Sequence, residues 1–326
     1  MIISRTPLRI RCAGGGSDLP AVYRREPGAV VATAINKSLY ITVNKKFDER
    51  IRASYSITEM VDRVEDLRHE LIRETLRLVG IAGGIEITSI SDIPSRGTGL
   101  GSSSAYTVGL LHALHAYTGR HVGAKRLAEE ACEVELARCG KPIGKQDQYV
   151  AAYGGLRFLR FEADGVSAEP VITSPEFRAS LQAHLLLLHT GLTRSADAIL
   201  SEQRRGLDEE ASVRADTAKM RDLAVDLRGA LLDQRLPAVG EILDAGWRLK
   251  RGLAPGISSP EIDAWYARAR DAGAIGGKLL GAGGGGFLLL LAPPERQGAI
   301  ARALPDLRPI PFRFEPEGSR IIYVEE

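Results

Sequence analysis

Cysteine is scarce in this chain. Its three residues, Cys12, Cys132 and Cys139, form an odd set without metal-type spacing, which excludes a disulfide-stapled scaffold and points to reduced thiols facing a core. Long hydrophobic runs are also lacking. Phe287 to Ala292 and Leu185 to Leu188 fall far short of the roughly 20 apolar residues that span a bilayer, and MIISRTPLRIRC has no apolar core of signal-peptide length. Net charge is nearly absent: 43 basic and 41 acidic residues, interspersed, leave +2 and no cationic stripe for nucleic acid or membrane. No repeat or low-complexity segment occurs. What remains is a globular chain of 326 residues, long enough for one large or two ordinary domains, expected to be soluble and cytoplasmic. Self-association into a homo-oligomer is compatible with all of these features.

What the chain has in abundance is glycine, 35 residues, and its placement organises the reading. In PSRGTGLGSSSA, Pro94 to Ala105, a β-branched stretch (Gly84 to Ile93) is closed by a proline that cannot donate to a ladder. Beyond it, Val108, Leu111 and Leu114 recur at helical spacing, so Ser102, Ser103 and Ser104 fall where a helix begins and can cap it. Gly97, Gly99 and Gly101 permit φ > 0 and clear Cβ atoms from the loop. Its amides, together with those of Leu100 and the serines, then face an anion favoured by the helix dipole. The pattern predicts a triphosphate cradle. A plain Gly/Ser turn is the bland alternative. A Walker loop is excluded because no Lys follows the last Gly, and GSSSA departs from a GxSxG elbow at Ala105, leaving an esterase as an outside reading.

Three further segments are unusual. TPLRIRCAGGGSDLP, Thr6 to Pro20, alternates Arg9 and Arg11 with Leu8 and Ile10, so both guanidiniums project from one strand face as a phosphate wall, and Asp18 follows a triple glycine in a position suited to hydroxyl binding. A helix over Lys125 to Cys139 carries Glu133 and Glu135, and KPIGKQDQYVAAYGG then packs Lys145, Gln146, Asp147 and Gln148 together, with an N-cap as the alternative role for Asp147. GAGGGG, Gly281 to Gly286, satisfies GxGxxG literally but leads into a strand instead of opening a helix, which excludes a dinucleotide fingerprint. Its glycines imply close backbone approach, to a ligand in preference to another domain. His112, His115, His184 and His189 read as structural.

The expected architecture is α+β. Strands run through AVVATAI, SLYITVNKKF and RIRASYSI, and a covering helix spans Glu59 to Val79. A boundary near Thr173 to Pro175 divides residues 1–174 from 175–326. The second part reads β, α, β, β, α, β, with extra helices, which is a ferredoxin-like unit.

Together the basic strand with its Gly and Asp, the PSRGTGLGSSSA segment and the late KLLGAGGGGF resemble the GHMP kinases, named for galactokinase, homoserine kinase, mevalonate kinase and phosphomevalonate kinase. Within the family the motifs look most like bacterial D-glycero-D-manno-heptose 7-phosphate kinases, with fucokinase-type enzymes as neighbours. The resemblance implies a ribosomal protein S5 domain 2-like nucleotide-binding N-terminal domain and a ferredoxin-like C-terminal domain. It implies ATP held by Pro94 to Ala105 and Mg²⁺ held by Ser103 and Glu135. Asp147 would stand beside the accepting hydroxyl, Arg9 would balance charge on the transferring group, and Asp18 would bind sugar hydroxyls. The neighbouring Gly16 and Ser17, and Lys145, Arg194, Gly283 and Gly284, complete the expected substrate contacts. The implied reaction takes the γ-phosphoryl of ATP to the C1 hydroxyl of a heptose 7-phosphate, giving a 1,7-bisphosphate for nucleotide-activated heptose. Arginines and lysines at 9, 11, 24, 25, 141, 145 and 194 exceed what ATP alone requires. AGGGSD in place of IGEHTD argues against galactose, and the interval from Pro94 to Gly99 is one residue longer than usual. A non-catalytic sugar sensor with the same fold is the alternative.

Overall fold

A computed structural model describes residues 1–94, 98–193 and 196–325, so the expectations for Gly97 and Arg194 lie outside the described residues. The long strand β2 (Gly28–Lys45) is the axis of the first sheet. Its valines and isoleucines alternate between two buried faces. Along most of its length it pairs antiparallel with β1 (Ile2–Ala13). On the other side its ends diverge: Leu39 to Lys45 pair with β5 (Ile85–Ser91), whereas Gly28 to Thr33 pair with β6 (Leu156–Glu162). Beyond β5 lie β3 (Ile51–Ser54) and β4 (Thr58–Val61), and beyond β6 lies β7 (Gly165–Pro170).

The second sheet is antiparallel. Numbering its strands along the chain as β8 (Leu185–His189), β9 (Gly276–Leu279), β10 (Phe287–Leu291) and β11 (Arg308–Pro309), the order across it is β11-β8-β10-β9. That is the ferredoxin-like order expected from the sequence. The helices Ala196–Glu209, Ala211–Leu232, Leu236–Lys250 and Pro260–Asp271 all intervene between β8 and β9.

Leu8 and Ile10 enter the core beneath the Ser102–Tyr117 helix. Strand alternation then turns Arg9 and Arg11 to the opposite face. Among the described residues no helix is long and apolar enough to cross a membrane.

Three elements differ from expectation. The covering helix starts at Glu70, because Thr58 to Val61 form β4 against β3; the spacing of Val61, Val64 and Leu67 mimicked a helix whose first half is instead a hairpin strand, a 3₁₀ turn and connecting residues. The Lys125 to Cys139 helix is α-helical only over Ala124–Cys132 and π-helical over Glu133–Arg138. A last strand, β12 (Arg320–Val324), returns from the C-terminal segment to pair with β1, so residues beyond about 313 lie on the first sheet.

Candidate active site

A cavity of about 1060 Å³ lies where the two sheets meet, bordered by the glycine loop and the start of the Ser102–Tyr117 helix. The cap of that helix is Gly101, at φ 76°, and not a serine. With no side chain capping the first turn, the amides of Ser102, Ser103 and Ser104 are left for a ligand. Gly99, also at positive φ, meets Gly281 backbone to backbone: a Cβ on Gly281 would lie 2.4 Å from the Gly99 Cα. The loop that borders the cavity is thus clamped by the second glycine run. Leu100 is buried at 0% exposure; its carbonyl accepts from the Arg9 amide at 2.9 Å, so it anchors the loop and its side chain faces the core.

Arg9, 4% exposed, donates from Nε and Nη2 to the two oxygens of Asp147 at 2.6 and 2.8 Å, and from Nη1 to the Gly99 carbonyl at 2.7 Å. These bonds use three of the five N–H donors of the guanidinium, leaving one on each terminal nitrogen, and Arg9 borders the cavity. Asp147 sits in the first turn of the Gln146–Tyr153 helix without capping it, borders the cavity, and has its carboxylate fixed by a planar fork.

Glu135 is fully buried by the π-helical turn, which carries it inward while Glu133 remains on the surface with Arg138. Its carboxylate accepts from the Ser103 hydroxyl at 2.7 Å and from Gln148 Nε2 at 2.6 Å. Burial pushes its pKa up to about 7, against the hydrogen bonds that favour the charged form. Among the described residues it has no cationic partner.

Asp18, 2% exposed, accepts from the Gly16 amide at 3.2 Å and from Gln146 Nε2 at 2.9 Å, and it borders the cavity beside Gly16 and Gln203. Desolvation raises its pKa, opposed by Arg11. Behind this region, burial lowers the pKa of Lys278 to about 7 and that of Lys250 well below its usual range, each further depressed by Arg11.

Several residues expected at the substrate turn elsewhere or also pack against backbone. Ser17 is turned inward, donating to the Gly14 and Ala29 carbonyls at 2.7 and 2.9 Å. The Lys145 ammonium lies 4.7 Å over the Tyr23 ring and does not border the cavity. Gly283 borders the cavity and backs onto Ile257, and the Gly284 amide donates to the Ile257 carbonyl at 2.9 Å, so the glycines of this loop approach backbone closely while also lining the cavity. Arg24 and Arg25 are exposed away from the cavity. His112 meets Ser319 at 3.0 Å and His115 meets Glu130 at 2.5 Å, both structural contacts.

Sequence reasoning placed Gln148 in a polar run without giving it a role, and it missed Gln203, the two lysines behind the cavity, and its aromatic part, where His69 stacks on Tyr106 at 5.2 Å and meets Tyr55 edge-on at 4.5 Å. Gln148 carried a usable signal, since it adjoins Asp147 in a run of four polar residues. The others sit on ordinary-looking segments that become neighbours only through the fold.

The chain matches the model of the GHMP kinases N terminal domain over residues 64–155 and that of the GHMP kinases C terminal domain over 227–308. It is 28% identical to a D-glycero-alpha-D-manno-heptose 7-phosphate kinase from Campylobacter jejuni, over 93% of each chain. It is 30% identical to a mevalonate kinase from Methanothermobacter thermautotrophicus, over 78% of this chain and 80% of that one. Its fold superposes on the crystal structure of a D-glycero-D-manno-heptose 1-phosphate kinase from Bacteroides thetaiotaomicron with a TM-score of 0.81, covering all of both chains at 24% identity. With both family domains in order, and with the glycine loop, Asp147 and Asp18 bordering one cavity, this chain belongs to the GHMP kinases and is a two-domain phosphotransferase of that family.

Proposed function

We propose that the chain transfers the γ-phosphoryl group of ATP to the C1 hydroxyl of D-glycero-D-manno-heptose 7-phosphate. The observation that carries this reading is one cavity holding three distinct parts: the uncapped helix start of Ser102 to Ser104, the fork-held Asp147, and Asp18 with its amide donors. The likeness to the Campylobacter jejuni heptose 7-phosphate kinase over 93% of each chain supports the choice of sugar. The stacked His69 and Tyr106 offer a flat surface for the base of ATP.

Phosphoryl transfer of this kind asks little covalent work of the protein; positioning and charge do most of it. The first-turn amides of the helix bind the phosphates and hold them in line. Asp147, its orientation set by Arg9, accepts a hydrogen bond from the attacking hydroxyl and takes its proton as the bond to phosphorus forms. A hemiacetal hydroxyl suits this role because it is more acidic than an ordinary alcohol. Asp18 and Gln146 fix the ring through its other hydroxyls.

The donor set fits a magnesium ion. Ser103 and Glu135 are hard oxygen donors 2.7 Å apart, and Glu135 is a buried carboxylate lacking a cation among the described residues. The ion, when bound with ATP, supplies charge neutralisation at the phosphates. The domain division we favour runs at 174/175, with residues beyond about 313 returning to the first sheet.

The test is ATP consumption across heptose 7-phosphate, fucose, galactose and mevalonate, with the product identified by phosphorus NMR. A 1,7-bisphosphate formed from the heptose and little turnover of the others is expected. Preferred turnover of fucose would replace the heptose reading with a fucokinase-like one.

A further inference from the structure

Arg11 has no role in the reaction as described, yet it borders the cavity beside Asp18. Among the described residues it makes a single hydrogen bond, 3.2 Å from Nη2 to the Gly281 carbonyl, and its Nε is buried without a partner. No carboxylate forms an ion pair with it there, whereas Arg9, two residues away on the same face, is paired with Asp147 and also donates to the Gly99 carbonyl.

Two buried lysines stand behind it. Lys250 donates to the Leu279 and Gly281 carbonyls at 3.0 and 2.6 Å, sharing Gly281 with Arg11. Lys278 donates to the Cys12 carbonyl at 3.0 Å. Both lysines are at most 3% exposed; among the described residues their hydrogen bonds run to backbone carbonyls, and Lys250 also lies 5.9 Å over the Trp247 ring. Arg9 and Asp147 balance one another, which leaves Arg11 beside Asp18 with two lysines behind it whose charged forms burial and Arg11 disfavour. An anion held by Arg11 would offset that cost and favour the charged form of both lysines.

The triple glycine is shaped for the same arrangement. A Cβ on Gly15 would fall 2.4 Å from the Arg11 Cζ, so the guanidinium lies flat against the backbone at that position. Gly15 has no positive φ, and its own conformation does not demand glycine. A side chain at position 15 would push the guanidinium aside.

We infer that Arg11, backed by Lys250 and Lys278, binds a phosphate monoester carried by the acceptor and thereby selects a phosphorylated sugar over its neutral counterpart. A guanidinium presents a planar fork matched to phosphate oxygens. The inference rests on the sugar-kinase reading above and names the group that sets its acceptor.

Calorimetric titration in the presence of a non-hydrolysable ATP analogue tests it, using heptose 7-phosphate and mannose 6-phosphate against heptose and mannose. Wild type should bind a phosphorylated sugar at least 10-fold more tightly than its neutral partner, the scale of one charge-assisted hydrogen bond. Arg11→Gln should erase that preference while changing neutral-sugar and nucleotide affinity by less than about 3-fold. Gly15→Ala, which displaces the guanidinium without removing its charge, should act in the same direction and guards against a folding defect in Arg11→Gln. No preference in wild type, or equal losses on both kinds of sugar, overturns the inference. Arg11-dependent binding without turnover of heptose 7-phosphate would leave it standing and sink the proposed substrate alone.

Discussion

Arg9 and Asp147, 138 residues apart in sequence, meet through two parallel N–H···O bonds of 2.6 and 2.8 Å, and the third contact of that guanidinium is the carbonyl of Gly99. One side chain therefore sets both the orientation of the Asp147 carboxylate at the cavity and the position of the glycine loop that borders it.

Asp147→Asn should keep nucleotide affinity and lower kcat by about 10² or more, the usual scale for a positioned proton acceptor. Arg9→Met should lower kcat comparably, and the double variant should lose little beyond either single one, because the two residues act as a unit. Additive losses in steady-state kinetics would mean that Arg9 acts on the phosphates independently.

Ser103→Ala and Glu135→Gln each remove an oxygen donor or its charge from the expected ion site. Both should raise the magnesium concentration needed for half-maximal rate, with activity partly recovered at high magnesium. An unchanged magnesium titration in both variants would place the ion elsewhere.

The pH dependence of stability follows from Glu135. Its pKa is raised in the folded chain to about 7, so between the ordinary carboxylate range and pH 7 the folded state holds a proton that the unfolded state has lost. Without ligands, stability should therefore fall as pH rises from about 5 to 7 and level off above, by an amount on the order of 3 kcal/mol at most. Glu135→Gln should flatten this slope in denaturant titrations across that range. An identical slope in the variant would assign it to other groups, Asp18 first, whose pKa burial also raises.

Gly281→Ala tests the clamp between the two halves. The new Cβ would lie 2.4 Å from the Gly99 Cα at a residue with φ 71°, where neither backbone has room to yield cheaply. A loss of roughly 2 kcal/mol or more is expected from strain and overpacking together, read as a lowered Tm with weakened binding of both substrates. A wild-type Tm and affinity would show that the loops separate freely.

The sequence made the glycine loop and its helix legible because composition changes abruptly between two periodic patterns, and local chemistry alone determines that boundary. It also showed Arg9 and Arg11 on one face, since strand alternation is local. It did not show that Arg9 is committed to Asp147, because that depends on how a strand near residue 9 and a helix near 147 are brought together. The directions in which Ser17 and Lys145 turn were hidden for the same reason: a polar side chain beside a site looks identical in sequence whether it faces the cavity, the backbone or a neighbouring ring. The helix from Glu59 failed because β4 exists only by pairing with β3, a tertiary effect that overrides an apolar spacing. Glu135 was distinguished from Glu133 by resemblance alone; the π-turn that separates their faces leaves no trace in composition.

The pairing of β12 with β1 bears on how the molecule is made. During synthesis β1 leaves the ribosome about 320 residues before its edge partner, so that edge stays open while everything between is translated. Unpaired strand edges recruit other chains. A transcript cut short before residue 313 would leave this edge uncovered for good, and its product should accumulate as aggregates even though the loop, the cavity and both acids at its centre are already encoded.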